Sequence, residues 1–370
     1  MKKLLMIPGP IEFENEVLQS MARPTLGHTD PDFITIFANS LKLFKAVCQT
    51  NLGQAFIIAG TGTFAMEMAI ANLIEKGDEV LVISTGYFGL RYAEMLKRYG
   101  ANVDILEAAM GNIVPMKDIE AQLKTKNYKL LTFTHVDTST AVLNDAQAIG
   151  ALCKKYNVLS VLDGVCSVAG EEIKQDEWEI DVVLTASQKA IGVPPGLALL
   201  SVSPKAIEVF NQRQSLVPNY YADWSNWLPI MKAYENKQAA YFATPPVNLI
   251  FALEESLNII LKEGLDVRFK RHKENGAEMR AALRNLGLKM IPKSEAVSAN
   301  TLSAVFYPDN IDASILKLIN EKGVVLAGGL LPDIKQQYFR IGHMGSTSNN
   351  ELSITIKAIT SALEESGFNN

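Results

Sequence analysis

Apolar runs of strand length recur through the first two thirds of the chain, separated by amphipathic stretches of helical period. Residues 55–59 (AFIIA), 80–84, 103–106, 130–134, 158–162, 182–185 and 197–202 read as strands. Helices are expected over residues 63–75, 88–99, 115–124 and 145–156. Continuous apolar strands alternating with helices predict a mostly parallel sheet covered on both faces, with about seven strands between residues 55 and 202. Beyond residue 246 the pattern changes. A helix is expected over 247–262, then a charged segment at 266–284. Short strands over 301–307, 324–327 and 338–341 follow, with helices near 313–321 and 351–365. The expected fold class is α/β. A short arm (1–20) leads to a large domain (21–263) and a smaller C-terminal α+β domain (264–370), divided near Glu263-Gly264.

Composition narrows the class. Of 370 residues, 48% are hydrophobic and 20% charged, which is the balance of a folded chain, and the length favours two domains. Thirty-five basic against forty acidic residues leave a formal charge of −5, so no bulk charge draws the chain to nucleic acid or an anionic membrane. The apolar runs are too short to span a bilayer. The basic-then-apolar start (1–7) stops at Pro8-Gly9-Pro10, short of a signal peptide, and the ending GFNN is no peroxisomal address. The expectation is a cytoplasmic protein. Cys48, Cys153 and Cys166 are odd in number and lack metal-like spacing, so they read as small buried hydrophobes. His28, His135, His272 and His343 form no HExxH or HxxxH pair, so no zinc site is expected.

Candidate chemistry gathers at predicted strand ends. Gly60-Thr61-Gly62-Thr63 lies between a strand and a helix, where backbone N–H groups can receive a phosphate. Extended to Ala65 it matches the dinucleotide fingerprint. That fingerprint needs an acid at the end of the next strand to hold a ribose, and this strand ends Ser84-Thr85. A dinucleotide is therefore disfavoured. Asp163 follows the strand at 158–162, and Lys189 follows the strand at 182–185, 26 residues later. Ligands in open α/β sheets sit beyond the carboxyl ends of strands, so acid, amine and phosphate cradle share one edge. Pyridoxal phosphate needs all three: a lysine for its aldehyde, a carboxylate for its ring nitrogen and a cradle for its phosphate.

The segments LLMIPGP (4–10), GTGTFAMEMA (60–69), THVDTSTAVL (134–143), LDGVCS (162–167), TASQKAIGVPPG (185–196), YFATPPV (241–247) and YFRIGHMG (338–345) resemble, in order and spacing, those of class V aminotransferases of fold type I. The branch most resembled acts on alanine and glyoxylate. The resemblance implies that Lys189 is the Schiff-base lysine and Asp163 the partner of the pyridinium nitrogen. It implies a phosphate site of Thr61, Gly62, Thr63 and Gln188, a hydroxyl from Thr138 beside the ring oxygen, and Phe88 stacked on the ring. Tyr241 and Thr244 match residues that reach the phosphate of a neighbouring subunit, which implies a homodimer. Arg340 matches the grip on the substrate carboxylate, and Gly27 a glycine at the pocket mouth that admits only small side chains. The implied substrates are small amino acids and 2-oxo acids: L-alanine, or L-serine, giving its amino group to glyoxylate.

Alternatives remain. A class V transaminase for another small amine, such as ureidoglycine or 2-aminoethylphosphonate, shares these motifs, and an inactive relative that only binds could too. A cysteine desulfurase is disfavoured, because Phe88 occupies the ring position and no cysteine follows Cys166. His135 and His343 read as structural groups, and the aromatic segment 220–227 as core or interface packing.

Overall fold

The computed structural model describes residues 3–368; Met1 and Lys2 of the expected arm, and the terminal Asn369 and Asn370, lie outside the described residues. The first part of the chain contains β1 (Leu4–Leu5), α1 (Asn15–Met21), α2 (Pro31–Val47), β2 (Gln54–Ala59), α3 (Gly62–Leu73), β3 (Glu79–Ser84), α4 (Tyr87–Arg98) and β4 (Asn102–Glu107). Next come α5 (Met116–Leu123), β5 (Leu130–Thr134), β6 (Val136–Asp137), β7 (Val142–Leu143), α6 (Ala146–Lys155), β8 (Leu159–Asp163), β9 (Val182–Ala186) and β10 (Leu197–Val202). Helices α7 (Pro204–Asn211), α8 (Trp224–Glu235), α9 (Val247–Glu263) and α10 (Leu265–Asn285) lead to β11 (Leu302–Phe306), α11 (Ile315–Glu321), β12 (Val324–Val325), β13 (Ala327–Gly328), β14 (Tyr338–Gly342) and α12 (Asn349–Glu365).

Seven strands form the main sheet in the order β2-β10-β9-β8-β5-β3-β4. Only β10 runs against its neighbours; the other pairs are parallel. β5, β8, β9 and β10 are buried along their whole length, as strands covered on both faces must be. β8 reaches one residue beyond the predicted strand because Asp163 stays in register opposite Thr134. Helices α1, α2 and α8 were not among the expected elements. α2 begins where Asp30 caps the Asp32 N–H at 2.8 Å with Pro31 in the first turn. Its buried stripe of Phe33, Phe37, Leu41 and Phe44 packs towards β2 and α9. On α8, the buried Trp224 stacks on Phe56 at 5.4 Å.

The smaller C-terminal domain holds the antiparallel order β11-β14-β13. The single strand expected at 324–327 is two short ones. β12 pairs with β1 of the N-terminal arm, and β13 pairs with β14. The charged segment 266–284 is the 21-residue helix α10. Its buried face carries the apolar Met279 and Leu283, which join the small core, beside Arg268, His272, Asn275 and Arg280. Those groups are paired: Arg268 donates to Ala169 O (2.7 Å) and Ala190 O (2.8 Å), Arg280 donates to Ala299 O (2.6 Å), and His272 Nε2 accepts from Gly345 N (3.0 Å). We propose the domain boundary between Glu263 and Gly264, where Gly264 takes φ +87° between α9 and α10. The arm joins both halves: Met6 belongs to the small apolar core and Ile11 to the large one. No helix among the described residues is long and apolar enough to cross a membrane.

Candidate active site

Five strands deliver side chains to the carboxyl edge of the sheet. β2 passes through Gly60 into α3, where the N-cap Thr61 Oγ1 accepts the Phe64 N–H at 3.3 Å. The first N–H groups of a helix have no partner within it, so this turn can receive an anion. β3 leads through Gly86 into α4 and Phe88, β5 leads towards Thr138, β8 ends on Asp163, and β9 ends three residues before Lys189. Thr61, Gly62, Thr63, Phe88, Thr138, Asp163, Gln188 and Lys189 line one cavity of about 270 Å³. Arg340 arrives from β14 of the small domain. Its Nη1 donates to Thr138 O at 3.2 Å and its Nε to Gly328 O at 2.9 Å.

The charges here are poorly solvated. Asp163 Oδ1 accepts the Val165 N–H at 3.0 Å, and Oδ2 accepts from Thr134 Oγ1 at 3.4 Å. Burial nonetheless pushes its carboxyl up to about 7, and Asp137 pushes the same way. Burial also holds the Lys189 amine below the usual lysine range, reinforced by the Arg340 charge. A lysine with a lowered pKa is the kind that serves as nucleophile and base near neutrality.

Several contributors carried no assigned role in the sequence. The arm brings Pro8 and Gly9 against the lysine: Lys189 Nζ donates to Pro8 O. A Cβ on Gly9 would lie 2.6 Å from Lys189 Cδ and displace the end of that side chain, and φ +109° is a backbone conformation that favours glycine. Asp137 is buried and accepts from Phe88 N (3.0 Å), Ser139 N (2.9 Å) and Ser139 Oγ (2.5 Å), which fixes the start of α4. A Cβ on Gly86 would meet Asp137 Cγ at 2.7 Å. Arg91, one turn after Phe88, also lines the cavity, with Nη1 on Thr63 Oγ1 and Nη2 on Tyr87 OH, both at 3.2 Å. The PGP and HVD runs, and an arginine three residues after Phe88, were the signals in the sequence. Nothing local showed where they met.

Gly27, Tyr241, Thr244 and Arg340 are not among the residues that line this cavity, although Arg340 meets its Thr138 through the backbone carbonyl. Tyr241 is 63% exposed, its ring 5.1 Å from that of His28 beside Gly27. All three cysteines are free and buried, and Cys166 borders the cavity. His135 and His343 are buried, and burial lowers both to about 3; His343 Nε2 sits 3.0 Å from Ser303 Oγ.

The donor set fits pyridoxal phosphate. A buried carboxylate with no cation on it faces the cavity, a buried amine stands nearby, an aromatic ring forms a wall, and a helix start with two threonine hydroxyls offers an anion site. The profile described as aminotransferase class-V matches residues 14–331. Over 361 residues the chain is 40% identical to alanine–glyoxylate aminotransferase 1 of Saccharomyces cerevisiae, covering 94% of this chain and 93% of the yeast protein. The crystal structure of an alanine–glyoxylate aminotransferase from Nostoc sp. superposes with a TM-score of 0.92 at 32% identity, covering 98% of this chain and 96% of that one. That of the ureidoglycine–glyoxylate aminotransferase of Bacillus subtilis gives 0.92 at 28% identity, covering 99% and 94%. Sheet order, lysine and carboxylate, and near full-length similarity agree: the chain belongs to the class V aminotransferases of fold type I and is a pyridoxal-phosphate-dependent aminotransferase.

Proposed function

We propose that this aminotransferase moves the amino group of L-alanine to glyoxylate, giving pyruvate and glycine, with L-serine as a second donor. The observation that carries this is the 40% identity, over 94% of this chain, to a yeast enzyme named for alanine and glyoxylate.

Bound pyridoxal phosphate supplies an aldehyde for the amine and a ring that accepts the electrons left at Cα. In this reading Arg340 holds the substrate carboxylate with two parallel N–H donors, which turns the Cα proton towards Lys189. Lys189 Nζ would take the proton from Cα as a base and, as the conjugate acid, deliver it to the carbon that was the aldehyde, so that no net proton is consumed. Its lowered pKa leaves it free to accept that proton near neutral pH. Asp163 keeps a proton on the ring nitrogen. Thr61, Gly62, Thr63 and Gln188 would hold the phosphate, Phe88 would pack on the ring, and Thr138 would offer its hydroxyl to the ring oxygen. Glyoxylate then receives the amino group by the same steps reversed.

The working unit in this reading is a homodimer. Tyr241 and Thr244 stand apart from the cavity of their own chain, which suits a reach into the neighbouring one, and Gly27 lies on the same side, beside His28. Arg91 lines the cavity as well, but its bonds go to Thr63 and Tyr87. That leaves no evident guanidinium for a second substrate carboxylate. A donor panel at fixed glyoxylate tests the assignment. Alanine and serine should exceed aspartate and phenylalanine in kcat/KM. An aspartate or aromatic preference would sink the small-donor reading, and a preference for (S)-ureidoglycine would favour the activity named for the Bacillus subtilis relative.

A further inference from the structure

The charged groups lining the cavity are Asp163, Lys189 and Arg91. Ring nitrogen and proton transfer occupy the first two. The third has no role in the reaction as described, yet it is held with care. Its guanidinium carbon lies 4.9 Å from the centroids of both Tyr87 and Phe88. Its two hydrogen bonds go to hydroxyls, Thr63 Oγ1 and Tyr87 OH, each at 3.2 Å. These partners are all uncharged, so none of them pairs with the guanidinium as a counter-ion.

We propose that Arg91 is a positioning residue for the cofactor phosphate, supplying its countercharge and setting Thr63 as a donor to it; this rests on the pyridoxal-phosphate assignment of the site. A phosphate monoester carries between one and two negative charges near neutrality. The dipole of α3 offsets only about half a charge, and Thr61, Thr63 and Gln188 are neutral. Arg91 supplies the missing cation at the same turn. Its bond to Thr63 Oγ1 also decides what that hydroxyl can do. A hydroxyl has one proton to donate and lone pairs to accept with. With a lone pair taken by the guanidinium, the Thr63 proton is directed away from Arg91, towards an anion. A charged donor on the oxygen polarises that O–H and strengthens the bond it gives. The two aromatic faces hold the guanidinium in place without neutralising it.

The competing role is a prop for Phe88, with no stake in the phosphate. The two separate by comparing pyridoxal phosphate with pyridoxal, which has the ring and aldehyde but no phosphate. Cofactor-free wild type, Arg91→Met and Arg91→Lys are titrated with each ligand, followed by absorbance and protein fluorescence. Methionine keeps an unbranched stem and loses the charge; lysine keeps the charge and loses the fork. Arg91→Met should bind pyridoxal phosphate about ten- to hundredfold more weakly, the range of one charge-assisted hydrogen bond, while pyridoxal binding stays within about twofold. Arg91→Lys should recover part of the loss, and added salt should weaken wild type more than Arg91→Met. Equal losses for both ligands, or no loss for either, overturn the proposal. If Arg91→Met does not fold, the same ligand comparison in Arg91→Lys decides, with a selective loss for pyridoxal phosphate expected. A wild type that binds neither ligand would instead overturn the cofactor assignment.

Discussion

Asp163 shows what a single side chain costs before its partner arrives. Buried at the end of β8, its carboxyl titrates at about 7 against an ordinary 3.8. The folded chain therefore favours the neutral acid. As pH rises through the interval from 3.8 to about 7, the unfolded chain loses this proton first, and stability falls; above that interval the full penalty applies. Three units correspond to about 4 kcal/mol. Cofactor-free Asp163→Asn should thus melt higher than wild type at pH 8, with the gap closing towards pH 4. An equal gap at both pH values would mean that the carboxylate is not strained. With cofactor bound, the ranking of function reverses. The variant cannot keep the ring nitrogen protonated, and turnover should fall by on the order of 10².

At the level of elements, the decisive arrangement is a short arm laid across a strand end. β1 anchors the arm to β12, Gly342 N donates to Met6 O at 2.8 Å, and Ile11 N donates to Gln188 O at 3.2 Å. Between these ties the backbone passes Lys189 so closely that Gly9 has no space for a methyl group. Gly9→Ala would press its Cβ on the lysine and force a positive φ on alanine, a strain of about 1–3 kcal/mol. The expected result is a folded protein, slightly less stable, whose bound cofactor no longer shows the absorbance of a lysine-linked ring and whose turnover drops at least about tenfold, as misplacing a reacting group does. Normal absorbance and turnover in Gly9→Ala would show that the arm can retreat.

Across the whole molecule, catalysis depends on two domains and, in our reading, two chains. Glu171 of the large domain accepts from Asn300 N (2.5 Å) and Asn300 Nδ2 (2.8 Å) just ahead of β11. Arg268 on α10 reaches back to Ala169 O and Ala190 O. These ties hold the small domain on the large one, and β14 carries Arg340 to Thr138 O. Mixing two inactive variants tests the shared site. Lys189→Ala retains Tyr241, and Tyr241→Ala retains Lys189, so mixed dimers should regain one complete site and activity above either parent. Sedimentation should show a dimer. No gain after subunit exchange is verified would place Tyr241 outside the neighbour's site.

The inner strands were legible in the sequence because both faces are covered, which leaves uninterrupted apolar runs, whereas the edge strand β4 is only half buried. Their order was not, since pairing is a long-range choice, and neither was the reversal of β10. Asp163, Lys189 and Thr61 could be found from sequence because each sits at a strand or helix end, where side chains face ligands. Helix α10 was not found, because four charged or polar residues share its buried face with only Met279 and Leu283, and its buried arginines are satisfied by backbone carbonyls of distant segments. The strand expected at 324–327 split because its halves answer to different partners, the arm and β14. Arg91 and Asp137 look like ordinary surface charges in the sequence. Only the fold, by closing β3–α4 over α3 and the turn after β5, gave them Thr63 and the Phe88 N–H as neighbours. Periodicity reports the environment of a residue, whereas a site depends on which environments meet, and that is decided by tertiary contacts.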